Sequence, residues 1–132
     1  MKRIAINGFG RIGRAALKLI MEESDLEIVA INDLMPLSNI EYLLKYDSVY
    51  GIYEKEVSTE EGYLLVGGKR IKYFTQRDPE ELPWKEERVD IVVESTGFFT
   101  KREDAEKHIK AGAKTVVISG PTKSPDAPTV VH

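Results

Sequence analysis

The sequence contains no cysteine and only two histidines among its 132 residues. Missing thiols exclude a disulfide scaffold, a thiolate metal site and a cysteine nucleophile within these residues. No long apolar run is present either. The longest aliphatic stretch is Ile28-Val29-Ala30-Ile31, far short of the roughly 18 residues of a membrane-spanning helix and of a signal-peptide core. No membrane association and a soluble, cytoplasmic setting are therefore expected. Excess positive charge is also lacking, because 19 basic residues stand against 22 acidic ones. A net charge of -3 gives no field to hold a phosphate backbone by counterion release, so nucleic acid is not an expected partner.

What is present is the material for one globular domain spanning 1–132: 42% of the residues are hydrophobic, enough to fill a core at this length. Short apolar runs recur at Ile4-Ala5-Ile6, Ile28 to Ile31, Ile91-Val92-Val93 and Val116-Val117-Ile118. Continuous rather than alternating apolar strands belong to parallel sheets covered on both faces. Between the first two runs, Ile12, Ala15, Ala16, Leu19 and Ile20 follow the spacing of a helix with one buried stripe. The result is a βαβ unit. Two capping boxes, Ser38 with Glu41 and Thr100 with Glu103, announce two more helices. The former helix should carry Ile40, Leu43 and Leu44 inward, and the latter should run through Ala105 and Ile109 to a terminating Gly112. Tyr63-Leu64-Leu65-Val66 and Ile71-Lys72-Tyr73-Phe74 flank Gly67-Gly68, which reads as an antiparallel hairpin inserted into the α/β framework. Residues 119–129 hold three of the six prolines and read as loop before a strand that starts near Thr129. The Glu-rich stretch 80–87 reads as a solvated face.

Gly8-Phe9-Gly10-Arg11-Ile12-Gly13 follows the first strand and opens the first helix. In this G-x-G-x-x-G spacing the first glycine makes a tight turn, the second admits a pyrophosphate close to backbone, and the third lets helix pack on strand. Ten glycines over 132 positions reproduce the spacing by chance in about 5% of such chains, so context must carry the reading. That context is present: strand, turn and helix are in order, and Asp33 follows Gly13 by twenty residues at the end of the second strand. A carboxylate there can accept both ribose hydroxyls of an adenosine. Asp33 would repel a 2′-phosphate, and Leu34 beside it supplies no cation, so NAD is favoured over NADP. The pyrophosphate is expected on the amides of Arg11 and Ile12, where helix dipole and unpaired N–H groups favour an anion.

In a doubly wound sheet the strand around Val93 should border the same crevice as the first strand. Its carboxyl end reads Glu94-Ser95-Thr96-Gly97-Phe98-Phe99. These residues alone fit a cofactor loop and a mere helix-capping loop equally well. Ser119 holds the analogous position one strand further out. Glu94 is expected as a backbone-bonded structural carboxylate, since no second titratable group at a telling spacing supports a catalytic role. His108, in a Lys/Glu-rich helix, is expected on the surface, and Trp84 as a packing aromatic. Arg77 reads as one half of a surface ion pair.

Five segments together resemble phosphorylating glyceraldehyde-3-phosphate dehydrogenase: Ile6-Asn7-Gly8-Phe9-Gly10-Arg11-Ile12-Gly13-Arg14, Ile31-Asn32-Asp33-Leu34, Arg77-Asp78-Pro79, Glu94 through Thr100, and Ala111-Gly112-Ala113-Lys114 with Ile118-Ser119. The resemblance runs along the whole chain in order. It implies a Rossmann-type doubly wound, mostly parallel sheet with NAD as cofactor. Asn7 through Gly13 would form the pyrophosphate loop, Asp33 and Leu34 the ribose site, and Arg77 the adenine site. Ser95, Thr96, Gly97, Phe99 and Ser119 would line the path to the nicotinamide. One local departure is Gly120, where the family usually has alanine.

The same resemblance implies an oxidoreductase of glycolysis that converts glyceraldehyde 3-phosphate to 1,3-bisphosphoglycerate. The family's nucleophilic cysteine, partnering histidine and phosphate-binding residues lie in a catalytic domain that is absent here. These residues alone are therefore expected to bind NAD without catalysing the reaction, with no catalytic residue and no metal site of their own. The family is homotetrameric through contacts that depend largely on the second domain, so monomer or weak dimer is expected. A helix that the family folds back on this domain is also absent, which should leave an apolar patch exposed. Two alternatives are a stand-alone NAD-binding module or sensor and the matching domain of erythrose-4-phosphate dehydrogenase.

Overall fold

The computed structural model describes residues 1–46, 55–96, 102–118 and 129–131. Among these, eight strands form one sheet in the order β3-β4-β5-β2-β1-β6-β7-β8. The strands are β1 (Lys2–Asn7), β2 (Leu26–Asn32), β3 (Val57–Glu60), β4 (Tyr63–Val66), β5 (Lys69–Phe74), β6 (Ile91–Glu94), β7 (Thr115–Ile118) and β8 (Thr129–Val131). The helices are α1 (Arg11–Met21), α2 (Leu37–Tyr46) and α3 (Arg102–Ala111). Strands β5, β2, β1, β6 and β7 are parallel, while β3 with β4, β4 with β5 and β7 with β8 pair antiparallel. This is the expected α/β, Rossmann-type doubly wound sheet.

The continuous apolar runs bury both faces. Ile4 and Ile6 join Leu17, Ile20, Ile40 and Leu44 in one core, whereas Ala5 joins Trp84, Val92, Ala105 and Val116 in the other. Full burial of one such aliphatic side chain contributes about 1.5–3 kcal/mol. In β2 the alternation slips, since Ile4 pairs with Ile28 but Ala5 pairs with Ala30. Val29 is the extra residue, and both it and Ala30 consequently belong to the second core.

Several local expectations need correction. On α1 the buried residues are Gly13, Arg14, Leu17 and Ile20, whereas Ile12 is 43% and Leu19 70% exposed. Close packing at Gly13 sets the helix rotation, because a Cβ there would lie 2.3 Å from the Gly8 carbonyl oxygen. The apolar stripe therefore runs through 13, 17 and 20, with Ala16 packed beside it. Helix α2 begins at Leu37, with the Pro36 carbonyl accepting from the amides of Asn39 and Ile40. Ser38 thus lies inside the first turn rather than at the cap. Ile40 and Leu44 are buried and Leu43 half-buried. The Thr100 cap lies outside the described residues.

The two-glycine turn is present, with φ of 56° at Gly67 and 84° at Gly68, joining β4 to β5 as an antiparallel pair. The hairpin belongs to the sheet itself. β5 pairs in parallel with β2, and the undetected strand β3 extends the hairpin outward. β3 reads Val-Ser-Thr-Glu with one buried residue, too little hydrophobic pattern to reveal an edge strand. Within the Glu-rich stretch, Glu80, Glu81 and Glu86 are exposed, but Leu82 and Trp84 turn into the core. Among the described residues, the large apolar side chains of Met1, Leu19, Leu34, Tyr42 and Tyr46 are more than half exposed. The two tyrosines lean on one another with ring centroids 5.0 Å apart. No described helix is long and apolar enough to cross a membrane.

Candidate functional site

Strand order reverses between β1 and β6: from β1 the sheet grows through β2 to β5 on one side and through β6 to β7 on the other. Such a switch point places a crevice at the carboxyl ends of β1 and β6. A cleft of about 500 Å³ lies there, lined by Asn7, Gly8, Gly10, Asn32, Asp33, Leu34, Met35, Gln76, Arg77, Ser95 and Thr96.

The turn after β1 is held from two sides. The Gly8 amide donates to the Asn32 carbonyl at 2.8 Å, and the Phe9 amide donates to Asp33 Oδ2 at 2.7 Å. The Phe9 side chain is fully buried in the first core, so this residue meets the cleft through its backbone. A Cβ on Gly8 would lie 2.7 Å from the Thr96 nitrogen, whereas one on Gly10 would meet nothing within 4 Å. The first glycine is thus pinned against the β6 loop, and the second faces open space. Gly10 caps α1 without a side chain, and the first turn of α1 carries no acidic residue. The amides of Arg11 and Ile12 that open this helix are left in a favourable field for an anion.

Asp33 stands at the end of β2. Its Oδ2 accepts from Phe9 and its Oδ1 from the Met35 amide at 2.9 Å. Each oxygen keeps a second lone pair. Tyr73 steadies the same segment, its hydroxyl donating to the backbone carbonyls of Asp33 and Met35. Burial, and secondarily the Asp33 charge, push that phenol well above its ordinary range. Leu34 is 56% exposed at the rim. Arg77, also exposed, lines the cleft.

On the β6 side, Ser95 donates from its hydroxyl to the Gly8 carbonyl at 2.6 Å, and its amide donates to the Asn7 carbonyl at 2.8 Å. Of the sequence candidates, Asn7, Gly8, Gly10, Asp33, Leu34, Arg77, Ser95 and Thr96 come together around the cleft. Phe9, Arg11, Ile12 and Gly13 build the turn and helix start beside it. Gly97, Phe99 and Ser119 lie outside the described residues.

Sequence reasoning missed the floor. Asn32 donates to Asn7 Oδ1 at 2.7 Å and to the Gln76 carbonyl at 2.9 Å, and accepts from the Gln76 amide at 2.8 Å. Asn7 donates to Glu94 Oε1 at 2.6 Å. Buried amide side chains persist when their donors and acceptors are matched, and these chain across three strand ends. Two asparagines at the ends of successive apolar strands were the available signal.

His108 requires a second correction. It is fully buried, with Nε2 2.7 Å from Glu94 Oε1 and Nδ1 accepting from the Trp84 indole N–H at 2.9 Å. Residues Ala105, His108 and Ile109 of α3 share one helical face at i, i+3 and i+4. Composition of the whole helix hid that stripe. Glu94 is the structural carboxylate expected, but it bonds mainly to side chains.

The family model described as "Glyceraldehyde 3-phosphate dehydrogenase, NAD binding domain" matches residues 2–102. Among similar proteins, the glyceraldehyde-3-phosphate dehydrogenase of Clostridium pasteurianum is 53% identical over 131 residues, 99% of this chain and 39% of that protein. The Geobacillus stearothermophilus protein of the same name is 53% identical over 98% of this chain and 38% of its own length. That of Thermotoga maritima is 50% identical over 99% and 40%. The chain therefore spans about two fifths of the length of the curated relatives it matches.

Proposed function

Since the chain belongs to the glyceraldehyde-3-phosphate dehydrogenase family, through its NAD-binding domain, we propose that its cleft seats NAD with the adenosine ribose at Asp33 and the pyrophosphate over the start of α1. The observation that carries this assignment is the Asp33 carboxylate at the rim. It holds the glycine turn with one lone pair of Oδ2 and retains acceptors for ribose hydroxyls. Gly8, Gly10 and the amides of Arg11 and Ile12 contact the pyrophosphate, with Asn7, Phe9 and Gly13 shaping that turn. Arg77 and Leu34 flank the adenosine, and Ser95, Thr96, Gly97, Phe99 and Ser119 border the nicotinamide half. With a carboxylate at the 2′-position and an apolar Leu34 beside it, NADP is rejected.

Bound NAD would supply the hydride acceptor. The residues of this chain bind and orient it and exclude water around the pyrophosphate. Residues 1–132 form one domain, and the oxidative phosphorylation of glyceraldehyde 3-phosphate belongs to a second, catalytic domain or a separate chain. The absence of cysteine supports this division, because no thiol here can attack an aldehyde. The residues alone bind NAD, are catalytically inactive, and are monomeric or weakly dimeric, as sedimentation at several concentrations would report. A cytoplasmic location fits this glycolytic role.

Calorimetric titration of the 132-residue chain with NAD and NADP tests the binding reading, with heat of binding expected for NAD alone. No saturable heat with NAD at millimolar concentration would overturn it. A parallel assay with glyceraldehyde 3-phosphate, inorganic phosphate and NAD should form no NADH above a heat-killed control. Turnover above that control would overturn the division of labour.

A further inference from the structure

Beneath the cleft, the three buried side chains of Trp84, His108 and Glu94 form a chain that reaches the turn after β6 from behind. Indole Nε1 has only a proton to give, so the Trp84 contact at 2.9 Å makes His108 Nδ1 the acceptor. The ring proton then resides on Nε2 and points at Glu94 Oε1, 2.7 Å away. That assignment follows from the partner's chemistry, as tautomer assignments must. Asn7 supplies a second donor to Oε1 at 2.6 Å. The other oxygen, Oε2, accepts from the Thr96 amide at 3.0 Å and the Thr96 hydroxyl at 2.7 Å. Glu94 is 1% exposed, and both His108 and Trp84 are 0% exposed. Four neutral donors thus fix a buried carboxylate in position and plane, offsetting the cost of removing it from water.

The far end of this chain is the cleft wall. Thr96 abuts Gly8, where even a Cβ would come within 2.8 Å of the Thr96 Cα, and neighbouring Ser95 is bonded to the Gly8 carbonyl. A carboxylate that swings moves Thr96, and Thr96 cannot move toward Gly8 without displacing the glycine turn. We propose that Trp84, His108 and Glu94 form a positioning relay that sets the Ser95–Thr96 turn against Gly8, so that His108, remote from the nucleotide, determines nucleotide affinity. The effect on affinity rests on the NAD reading above; the positioning of Thr96 does not.

Two variants of the 132-residue chain separate this role from mere core packing. His108→Leu keeps bulk but removes the donor to Glu94, and His108→Gln restores a donor and an acceptor on one side chain. Among folded molecules, His108→Leu should raise the NAD dissociation constant and speed hydrogen exchange at the Thr96 amide, each about tenfold, the scale of one bond to a charged group. His108→Gln should return both to within about threefold of the parent. Unchanged Thr96 exchange in folded His108→Leu would overturn the relay, and faster exchange with an unaltered NAD constant would overturn its effect on affinity. If the parent itself binds no NAD, the nucleotide reading fails while Thr96 exchange still decides the positioning. If His108→Leu does not fold, the ring ¹⁵N spectrum of the parent decides instead: a proton on Nε2 supports the relay, and one on Nδ1 overturns it.

Discussion

Replacing Asp33 with alanine separates the two tasks assigned to its carboxylate. Within the protein it accepts from the Phe9 amide at 2.7 Å and the Met35 amide at 2.9 Å. Both bonds run to a charged acceptor, a class in which each contributes about 1.5–3 kcal/mol. Asp33 is only half-buried, so water can reach the freed amides, and a net stability loss of about 1–2 kcal/mol is expected. Toward the nucleotide, loss of one ribose bond to a carboxylate weakens NAD by about 10- to 100-fold. For NADP the balance differs. A 2′-phosphate about 4 Å from Asp33 would feel a repulsion of about 4 kcal/mol per unit charge at an effective dielectric of 20, and solvent screening reduces this to about 1–2 kcal/mol. Asp33→Ala loses the ribose acceptor and that repulsion together. Its NAD affinity should therefore fall while its preference for NAD over NADP shrinks by at least about tenfold. Calorimetry with both nucleotides, beside thermal unfolding of each protein, reads all three quantities. A variant that is destabilised yet binds NAD as the parent does would confine Asp33 to holding the turn and refute the ribose assignment.

Adding Leu34→Arg to Asp33→Ala should improve NADP binding further, because a guanidinium at the exposed rim can pair with the 2′-phosphate; calorimetry showing no gain over Asp33→Ala would place the phosphate elsewhere. Gly112→Ala should cost about 3 kcal/mol or more in urea unfolding, since φ there is +122° and the new Cβ would lie 2.4 Å from the Lys85 nitrogen; a loss below about 0.5 kcal/mol would show that the backbone yields. Asp90 is held below the usual carboxylate range, first by the Arg3 amide and also by Lys114, with burial opposing. A lowered folded value means that its stabilisation is present above the unfolded carboxylate value and disappears as pH falls through the folded one. Asp90→Asn should accordingly flatten that acid limb in unfolding measured from pH 6 to pH 2, and an unchanged limb would remove Asp90 as its source.

Much of the cleft was readable because its determinants are local. Gly8, Gly10 and Gly13 occupy a turn whose spacing is set by the backbone itself, and Asp33 terminates a strand whose apolar run marks its end. Their neighbours across the sheet were not readable in that way. Asn32 and Gln76 are 44 residues apart and meet because β2 and β5 are adjacent. Rotation of α1 was misjudged since its apolar pattern allows two faces, and contact between Gly13 and the Gly8 carbonyl selects the one that buries Leu17. β3 was missed because edge strands need bury little.

The sequence by itself determined the doubly wound class, the phosphate-type turn, the carboxylate twenty residues beyond it and the lack of any thiol, because each is a matter of composition or short-range spacing. Tertiary structure alone decided what the composition of α3 could not express: that His108 is buried, that Trp84 fixes its tautomer, and that Glu94 is bonded to both His108 and Thr96. Trp84 and Glu94 lie 10 positions apart and Glu94 and His108 14, and a buried polar group survives only where folding delivers its partners from other elements to hydrogen-bond distance.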